Sequence, residues 1–241
     1  VITHGNRSST SKCGSADLIE GIGIPVYNSI EKLTESMKAL DFCFLFAPHF
    51  HPVFKNIIPV RKSLAEEGIV TIFNLLGPTI NPAKPANQLL GVFDPCHMKK
   101  LGNALTSNDV RSGLVVHGIL EEEEITGVDE LTNCGDNKVF GIGQHQMDSI
   151  QKWSPSKWGS KYGQFSDLKG GDLAYNLKTM QSLLEGKGPP SLRTTVLLNA
   201  STAFWIQGRC TSLGEGMELA ESLLTDGVVK QWLSRAEYFF K

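Results

Sequence analysis

Short apolar runs alternate with amphipathic stretches along the first half of the chain. Three of these runs are brief and bounded by turn residues, as is typical of buried strands: Phe42–Phe46, Gln88–Val92 and Gly113–His117. The stretches between them have helical spacing, and Ser29 can cap the first of these helices. Their apolar faces comprise Ile30, Leu33, Met37 and Leu40 in one helix and Met98, Leu101 and Leu105 in the next. This alternation predicts an α/β fold with a mostly parallel central sheet flanked by helices.

The final third of the chain has little strand character. Leu173, Leu177, Met180 and Leu184 form one helical stripe. Three further helices are predicted at Thr194–Gln207, Glu215–Leu224 and Val228–Phe240. Earlier in the chain, proline and glycine mark loops over 47–52 and 74–82, and these bracket a predicted helix at Val53–Leu64. We interpret the two loops as hinge segments or as the lining of a site.

The composition is that of an ordinary globular protein. Of 241 residues, 41% are hydrophobic and 20% charged, and the formal net charge is −2, which argues against nucleic acid as a partner. The five cysteines are scattered without a Cys-x-x-Cys pair, which favours reduced thiols over a disulfide framework or a zinc cluster. His49 and His51 lack a third ligand at suitable spacing, so we interpret them as pocket-lining residues. Neither a signal peptide nor a membrane span is predicted, which indicates a soluble protein.

The opening run from Thr3 to Asp17 carries candidate phosphate-binding chemistry. It contains glycines, four consecutive hydroxyl side chains and two cations, and it leads into a predicted helix near Ser15. Backbone N–H groups, hydroxyl donors and a helix N-terminus together suit an anion. Ser/Thr-rich loops of this kind also recur simply as helix caps, with Asp17 and Glu20 as capping residues here, so the residues alone leave both interpretations open.

A resemblance to a known family favours the first interpretation. The run Thr3-His4-Gly5-Asn6-Arg7-Ser8 resembles the signature of the anthranilate phosphoribosyltransferases. Further blocks follow in the family's order over nearly the whole chain. They lie at 47–52, 59–62, 71–78, 81–83, 88–94, 115–118, 127–130 and 196–200.

This resemblance implies an Mg²⁺-dependent enzyme of tryptophan biosynthesis. It would transfer the phosphoribosyl group from phosphoribosyl pyrophosphate to the amine of anthranilate. Little acid–base chemistry is demanded, so no catalytic acid or base is assigned, and the protein would act through charge neutralisation and alignment. The family fold, shared with pyrimidine nucleoside phosphorylases, pairs a large α/β domain with a small helical domain to which about 47–66 would contribute, together with the hinge. A homodimer is also implied, in the cytoplasm or, in a plant, in a plastid.

The resemblance also assigns the site residues. Those for phosphoribosyl pyrophosphate are Thr3, His4, Gly5, Asn6, Arg7, Ser8, Ser9, Thr10, Ser11 and Ser15. Asn6, Arg61 and His4 would hold anthranilate, and the planar guanidinium of Arg61 suits a carboxylate. Asp129 and Glu130 match the family's metal-binding pair. Without the resemblance, two adjacent acids indicate a solvated turn and a lone arginine indicates a surface residue.

Three departures from the family pattern affect these expectations. Thr3 stands where the signature has lysine, which removes a cation near the phosphate. The segment 119–126 is longer and more acidic than the family's link to Asp129. The family's Gly-Thr-Gly-Gly-Asp loop and most of its helical domain would precede Val1, so we expect an N-terminally truncated chain. These departures leave two alternative functions open. One is a noncatalytic relative that binds another ligand or nucleic acid, and the other, less favoured, is a nucleoside phosphorylase.

Overall fold

The computed structural model describes residues 1–7, 12–69, 71–72, 75–122 and 125–241, without the side chains at 55, 58, 61, 62, 65, 121, 122, 125 and 126. The chain divides into two compact units. The first unit comprises Val1–Ala83, Gly170–Lys178 and Val229–Lys241, and the second comprises Lys84–Lys169 and Thr179–Val228. Among the described residues, no helix has both the length and the apolar character needed to cross a membrane.

The first unit is built on two parallel strands, β1 (Ile2–Gly5) and β2 (Cys43–Phe46). Helices α1 (Ser15–Gly21) and α2 (Ile30–Leu40) connect them, as a parallel crossover requires. The predicted cap of α2 is confirmed, because the Ser29 hydroxyl accepts from the Lys32 backbone N–H at 3.2 Å. Leu33 and Leu40 are buried as predicted, whereas Ile30, at the start of the helix, is exposed.

Shorter helices and the C-terminal helix complete this unit. Helix α3 (Ala47–Phe50) follows β2 directly, and α9 (Val228–Phe240) has the bounds that the sequence predicts. Trp232 of α9 donates its indole N–H to the Leu40 carbonyl at 2.9 Å. The predicted helix Val53–Leu64 is wrong in its first part: residues Pro52–Asn56 form a 3₁₀ turn, and helix α4 covers Ile58–Glu66. Pro52 and Pro59 each stand at or next to the start of one of these segments, where a missing N–H costs nothing.

The second unit contains a five-stranded sheet. Its strands are β3 (Asn87–Gly91), β4 (Ser112–Glu122), β5 (Ile125–Val128), β6 (Asn137–Gly143) and β7 (Gln151–Trp153). The order β3-β4-β6-β7 forms the main path, and β5 pairs with β4. Helix α5 (Met98–Ser107) connects the parallel strands β3 and β4.

The predicted α/β class is confirmed, but the sheet is mixed rather than mostly parallel. Strand β4 is antiparallel to β5 and β6, and β6 is antiparallel to β7. No described helix separates these four strands along the chain. The connections β4–β5 and β6–β7 reverse the chain direction, whereas β5 and β6 run in the same direction, both antiparallel to β4. The apolar runs predict β3 and the first half of β4 but not β5, β6 or β7.

Helices α6 (Leu173–Leu184), α7 (Pro190–Ile206) and α8 (Leu213–Thr225) follow the sheet. All three were predicted, although α7 begins earlier than the predicted Thr194. Side chains of α7 and α8 share a buried core with those of the sheet. This core comprises Leu114, Val116, Leu131, Val139, Trp153, Trp158, Leu198, Ile206 and Leu213.

Candidate functional site

The predicted phosphate-binding run begins at the carboxyl edge of the β1–β2 pair. Thr3, His4 and Gly5 lie within β1, where Gly5 is paired with Phe46 of β2. Because the strands are parallel, the chain leaves both at the same edge, at Asn6 and at Ala47. Ligands of open α/β sheets bind at this edge. The fold therefore brings the signature residues next to residues 47–52, which were predicted to line the site. This stretch was predicted as a loop, but Ala47–Phe50 form α3.

Gly5 allows helix α1 to close on the strand. A Cβ at this position would lie 2.8 Å from Oγ of Ser15 and 3.0 Å from the Phe44 ring. The exposed Ser15 hydroxyl lies 3.5 Å from the Asn6 carbonyl, at the far side of the loop. The Asn6 side-chain oxygen accepts from the Arg7 backbone N–H at 2.8 Å. Among the described contacts, the amide nitrogen of Asn6 has no partner, so its two N–H donors can serve a ligand.

Arg7 holds the loop against α1. Its guanidinium contacts Asp17 at 2.8 Å and Glu20 at 2.5 Å, and the hydrogen bond to Asp17 contributes most to raising its pKa further above the ordinary value. Asp17 also accepts from the Gly14 backbone N–H at 2.9 Å. In this structure the cation is therefore already paired with two carboxylates. Since it is also substantially exposed, these pairs fix the loop more than they stabilise the fold.

For several other predicted substrate-binding residues the structure gives no side-chain contacts. Ser8, Ser9, Thr10 and Ser11 lie outside the described residues. Arg61 is on α4, and its side chain is likewise outside the description. Their assigned roles stay predictions.

His4 and His51 form a close pair in the first unit. Their ring centroids are 5.1 Å apart in an edge-to-face arrangement. Nε2 of each ring is buried without a hydrogen-bond partner. Burial lowers the pKa of His4, and the charge of His51 lowers it further, while the Gly77 backbone acts in the opposite direction. Unpaired buried polar atoms are costly unless another group satisfies them, so this pair is suited to contact a polar ligand.

Replacing His51 by glutamine should raise the pKa of His4 towards 6.5, its ordinary value. The unfolded chain binds more protons at His4 than the folded chain does, so His4 costs stability as the pH falls from 6.5 through its folded pKa. The variant should reduce this loss of stability, because the folded and unfolded pKa values of His4 come closer together. Histidine NMR titrations measure the pKa directly, with His145 in the second unit as an unchanged internal reference. An unaltered His4 titration would refute the coupling.

Asp129 and Glu130 belong to the second unit and immediately follow β5. Both are exposed. Two glycines make room for their backbone. A Cβ at Gly91 would lie only 1.4 Å from the Asp129 carbonyl oxygen, and one at Gly118 would lie 2.8 Å from that of Glu130. The turn is thus held tightly against β3 and β4, while its carboxylates remain accessible.

The two carboxylates fit a hard divalent cation. Partial desolvation raises the pKa of Glu130, and the neighbouring charge of Asp129 adds to the effect. A bound cation would relieve this repulsion between like charges. The donor set consists of oxygen alone, and one or two carboxylates are what Mg²⁺ usually takes from a protein. The residues present therefore fit the predicted ion.

Buried amides fix the chain just after this turn. Asn199 of α7 accepts from the Leu131 N–H at 3.3 Å and donates to the Leu131 carbonyl at 2.7 Å. Asn137 of β6 bonds both backbone groups of Thr132 in the same way, at 2.8 and 2.9 Å. Leu131, Thr132 and Asn137 are completely buried. Asn199 lies in the family block 196–200, but its role does not follow from the sequence, since only the folded chain reveals its contact with Leu131.

Replacing Asn199 by leucine should destabilise the chain and weaken binding of Mg²⁺. Two backbone groups of Leu131 would lose their partners, at a cost of about 1–3 kcal/mol each. Asn176 offers a matched control, because its amide bonds both backbone groups of Gly171 in the first unit, at 2.9 and 3.1 Å. Asn176→Leu should lower the free energy of unfolding without changing the affinity for Mg²⁺. Denaturant unfolding and calorimetric titration with Mg²⁺ measure the two effects. Equal Mg²⁺ affinities in both variants would contradict the positioning role of Asn199.

Comparison with known proteins gives a consistent set of relatives. A family model described as "Glycosyl transferase family, a/b domain" matches residues 1–230. The anthranilate phosphoribosyltransferase of Corynebacterium efficiens is 35% identical over 98% of this chain and 66% of its own length. That of Persephonella marina is 37% identical over 93% of this chain and 63% of its own.

Solved structures agree. The crystal structure of anthranilate phosphoribosyltransferase (TrpD) from Thermus thermophilus superposes with a TM-score of 0.87 at 38% identity, covering 100% of this chain and 68% of that one. The Saccharomyces cerevisiae enzyme in complex with PRPP and Mg shares the fold, with a TM-score of 0.85 at 23% identity over 99% of this chain and 64% of that one.

The chain spans slightly less than two thirds of the length of the first curated relatives it matches. The resemblance inferred from the ordered sequence blocks is confirmed by these matches, and the chain belongs to the glycosyl transferase family, with its a/b domain matching residues 1–230.

Proposed function

We propose that this chain is the catalytic α/β part of an Mg²⁺-dependent anthranilate phosphoribosyltransferase. The observation that carries the proposal is the match, over nearly the whole chain, to relatives of that name at 35–37% identity. Supporting it, the fold offers two sets of groups with the required chemistry. One is the β1–α1 loop with its neutral donors, and the other is the oxygen-only pair Asp129–Glu130.

The proposed reaction joins the anthranilate nitrogen to the anomeric carbon of phosphoribosyl pyrophosphate as pyrophosphate leaves. The aromatic amine is a neutral nucleophile, so it needs alignment more than deprotonation. The developing negative charge on the leaving group needs preorganised positive partners. Mg²⁺, when bound, supplies charge neutralisation at the pyrophosphate oxygens.

We assign binding of phosphoribosyl pyrophosphate to the β1–α1 loop. In this assignment the amide N–H groups of Asn6 act as donors, the exposed Ser15 hydroxyl exchanges its contact with the Asn6 carbonyl for one with the phosphate, and the predicted roles of Thr3 and of 8–11 extend this set. Arg7 acts by fixing the loop on α1 through Asp17 and Glu20. Thr3 supplies a hydroxyl and no charge, so the loop binds the phosphate mainly through neutral hydrogen bonds.

We assign binding of anthranilate to His4, Asn6 and Arg61. The buried, unpaired Nε2 atoms of His4 and His51 support this assignment, because a polar substrate can satisfy them. Arg61 would pair with the carboxylate through its planar guanidinium. Asp129 and Glu130 would hold Mg²⁺. A homodimer and a cytoplasmic or plastid location are the expected setting of such an enzyme.

The proposal is tested with the complete gene product that contains these 241 residues. Anthranilate is fluorescent, and its signal should fall when phosphoribosyl pyrophosphate and Mg²⁺ are both present. Leaving out either component should stop the decrease. No loss of fluorescence with a properly folded protein would refute the proposal. Binding of DNA that weakens steeply with salt would instead indicate the noncatalytic alternative.

A further inference from the structure

Three metal-ligating side chains of different chemistry meet at the end of β3. Asp94, Cys96 and His97 offer a carboxylate oxygen, a thiol sulfur and a ring nitrogen. In the part of the chain that the structure describes, these three atoms all lie within 4.8 Å of one another. They lie outside the residues assigned to the substrates and to Mg²⁺.

The backbone around these side chains is well fixed. The Asp94 carboxylate accepts from the Cys96 backbone N–H at 2.8 Å and so caps the 3₁₀ turn Pro95–His97, which leads directly into α5. Two residues earlier, the Val92 carbonyl lies 2.9 Å from Nδ1 of the buried His117. The ligand atoms therefore start from a turn that is anchored at both ends, and small side-chain rotations remain for adjustment.

The spacing is close to that of a tetrahedral metal site. Zinc–ligand bonds of about 2.0–2.3 Å place neighbouring ligand atoms about 3.3–3.6 Å apart. The three atoms lie within 4.8 Å of one another, so binding requires side-chain rotations that bring the most distant pair about 1 Å closer. No long-range rearrangement is needed, because the three residues occupy one short stretch of sequence.

His97 supplies a second, independent indication. Its Nδ1 atom is buried and has no hydrogen-bond partner. A buried ring nitrogen left unpaired costs free energy that a metal–nitrogen bond would recover. The ring therefore has a nitrogen available for coordination, because no contact around the turn gives this atom a hydrogen-bond partner.

The combination of sulfur, nitrogen and oxygen selects the kind of metal. Thiolate and imidazole favour zinc and related transition metals, whereas Mg²⁺ takes oxygen ligands. We propose that Asp94, Cys96 and His97 form a second metal site, which binds Zn²⁺ at the junction of β3 and α5. Asp94 and Cys96 are exposed, so the fourth position of the tetrahedron faces solvent and takes water. Of the five cysteines, each of which the structure describes, Cys96 is the exposed one.

The test is a titration of the metal-free, reduced protein with Zn²⁺ against a competing chromophoric chelator. The wild-type chain should bind one Zn²⁺ per molecule at this site. Cys96→Ala and His97→Gln should each lower the affinity by at least about tenfold, since even outer partners of metal ligands are worth that much. Asp94→Asn, which keeps the oxygen that caps the turn, should lower it with the fold intact.

Two controls separate this site from other metal-binding groups. Cys13→Ala removes a thiol elsewhere, and the double variant Asp129→Asn, Glu130→Gln removes the proposed Mg²⁺ ligands. Both should bind Zn²⁺ as tightly as the wild type does. Co²⁺ provides a spectroscopic check, because a cobalt–thiolate absorption band should appear in the wild type and be absent in Cys96→Ala. Failure of the wild type to bind Zn²⁺, unchanged affinity in Cys96→Ala, or loss of Zn²⁺ in the Asp129 and Glu130 variant would overturn the proposal.

Discussion

Replacing Gly91 by alanine should displace the turn at Asp129 and remove most of the Mg²⁺-dependent turnover. The new Cβ would lie 1.4 Å from the Asp129 carbonyl oxygen, and this neighbour is backbone rather than a flexible side-chain end. The turn must therefore move. Overpacking of this kind costs about 1–3 kcal/mol or more of stability. A displacement of about 1 Å at reacting groups can lower the rate about a hundredfold.

Gly214 provides the matched control for this substitution. It lies in α8, and the nearest atom to a Cβ there would be the Ser212 hydroxyl at 3.8 Å. Gly214→Ala should leave turnover unchanged and stabilise the chain by up to about 1 kcal/mol, as alanine favours the helix. Steady-state kinetics at varied Mg²⁺ and denaturant unfolding distinguish the two variants. If Gly91→Ala kept wild-type kinetics, the tight fit of the turn would have no bearing on function.

The second large effect is expected from removing the charges of Asp129 and Glu130 together. Asp129→Asn with Glu130→Gln keeps the size of both side chains and abolishes their charge. We expect kcat/KM to fall by at least about 10²–10³, the loss typical of one preorganised electrostatic contact to the transition state. Desolvation and, secondly, repulsion from Asp129 raise the pKa of Glu130, and both costs disappear with the charges, so the folded chain should be no less stable.

A second pair of acids controls for the change in net charge. Glu218 and Asp226 are both exposed, on and just after α8. Glu218→Gln with Asp226→Asn removes the same two charges and should leave the kinetics unchanged. Activity at saturating Mg²⁺ is the measurement for both double variants. Turnover that survives in the Asp129 and Glu130 variant would exclude these residues as the metal ligands.

Local signals in the sequence account for much of the fold. Ser29 caps α2 as its residue type predicts, and α9 has both of its predicted ends. The parallel pair β3–β4 also follows from the helix between its strands. Strands β5, β6 and β7 were missed because short connections and glycines interrupt their apolar pattern, so no helix-length gap marked a crossover. The antiparallel part of the sheet depends on pairing between strands, which local spacing does not encode.

The residues of the candidate site likewise fall into two groups, those that the sequence reveals and those that only the fold reveals. Asn6 and its neighbours are found from a contiguous motif, and the fold puts them at a sheet edge as such a motif requires. Asp129 and Glu130 look like a solvated turn by themselves and were selected through the family resemblance. Gly91 and Asn199 could not be recognised, because each acts on a segment distant in the chain. Their importance follows from contacts with the backbone at Asp129 and Leu131.

The proposed phosphoribosyl transfer is tested most directly by following both products in one reaction. The complete gene product is mixed with phosphoribosyl pyrophosphate, anthranilate and Mg²⁺, and mass spectrometry quantifies phosphoribosylanthranilate while phosphorus NMR quantifies pyrophosphate. We predict equal amounts of the two products, and none of either when anthranilate is omitted. Pyrophosphate released without anthranilate, or anthranilate left unmodified, would contradict the proposal.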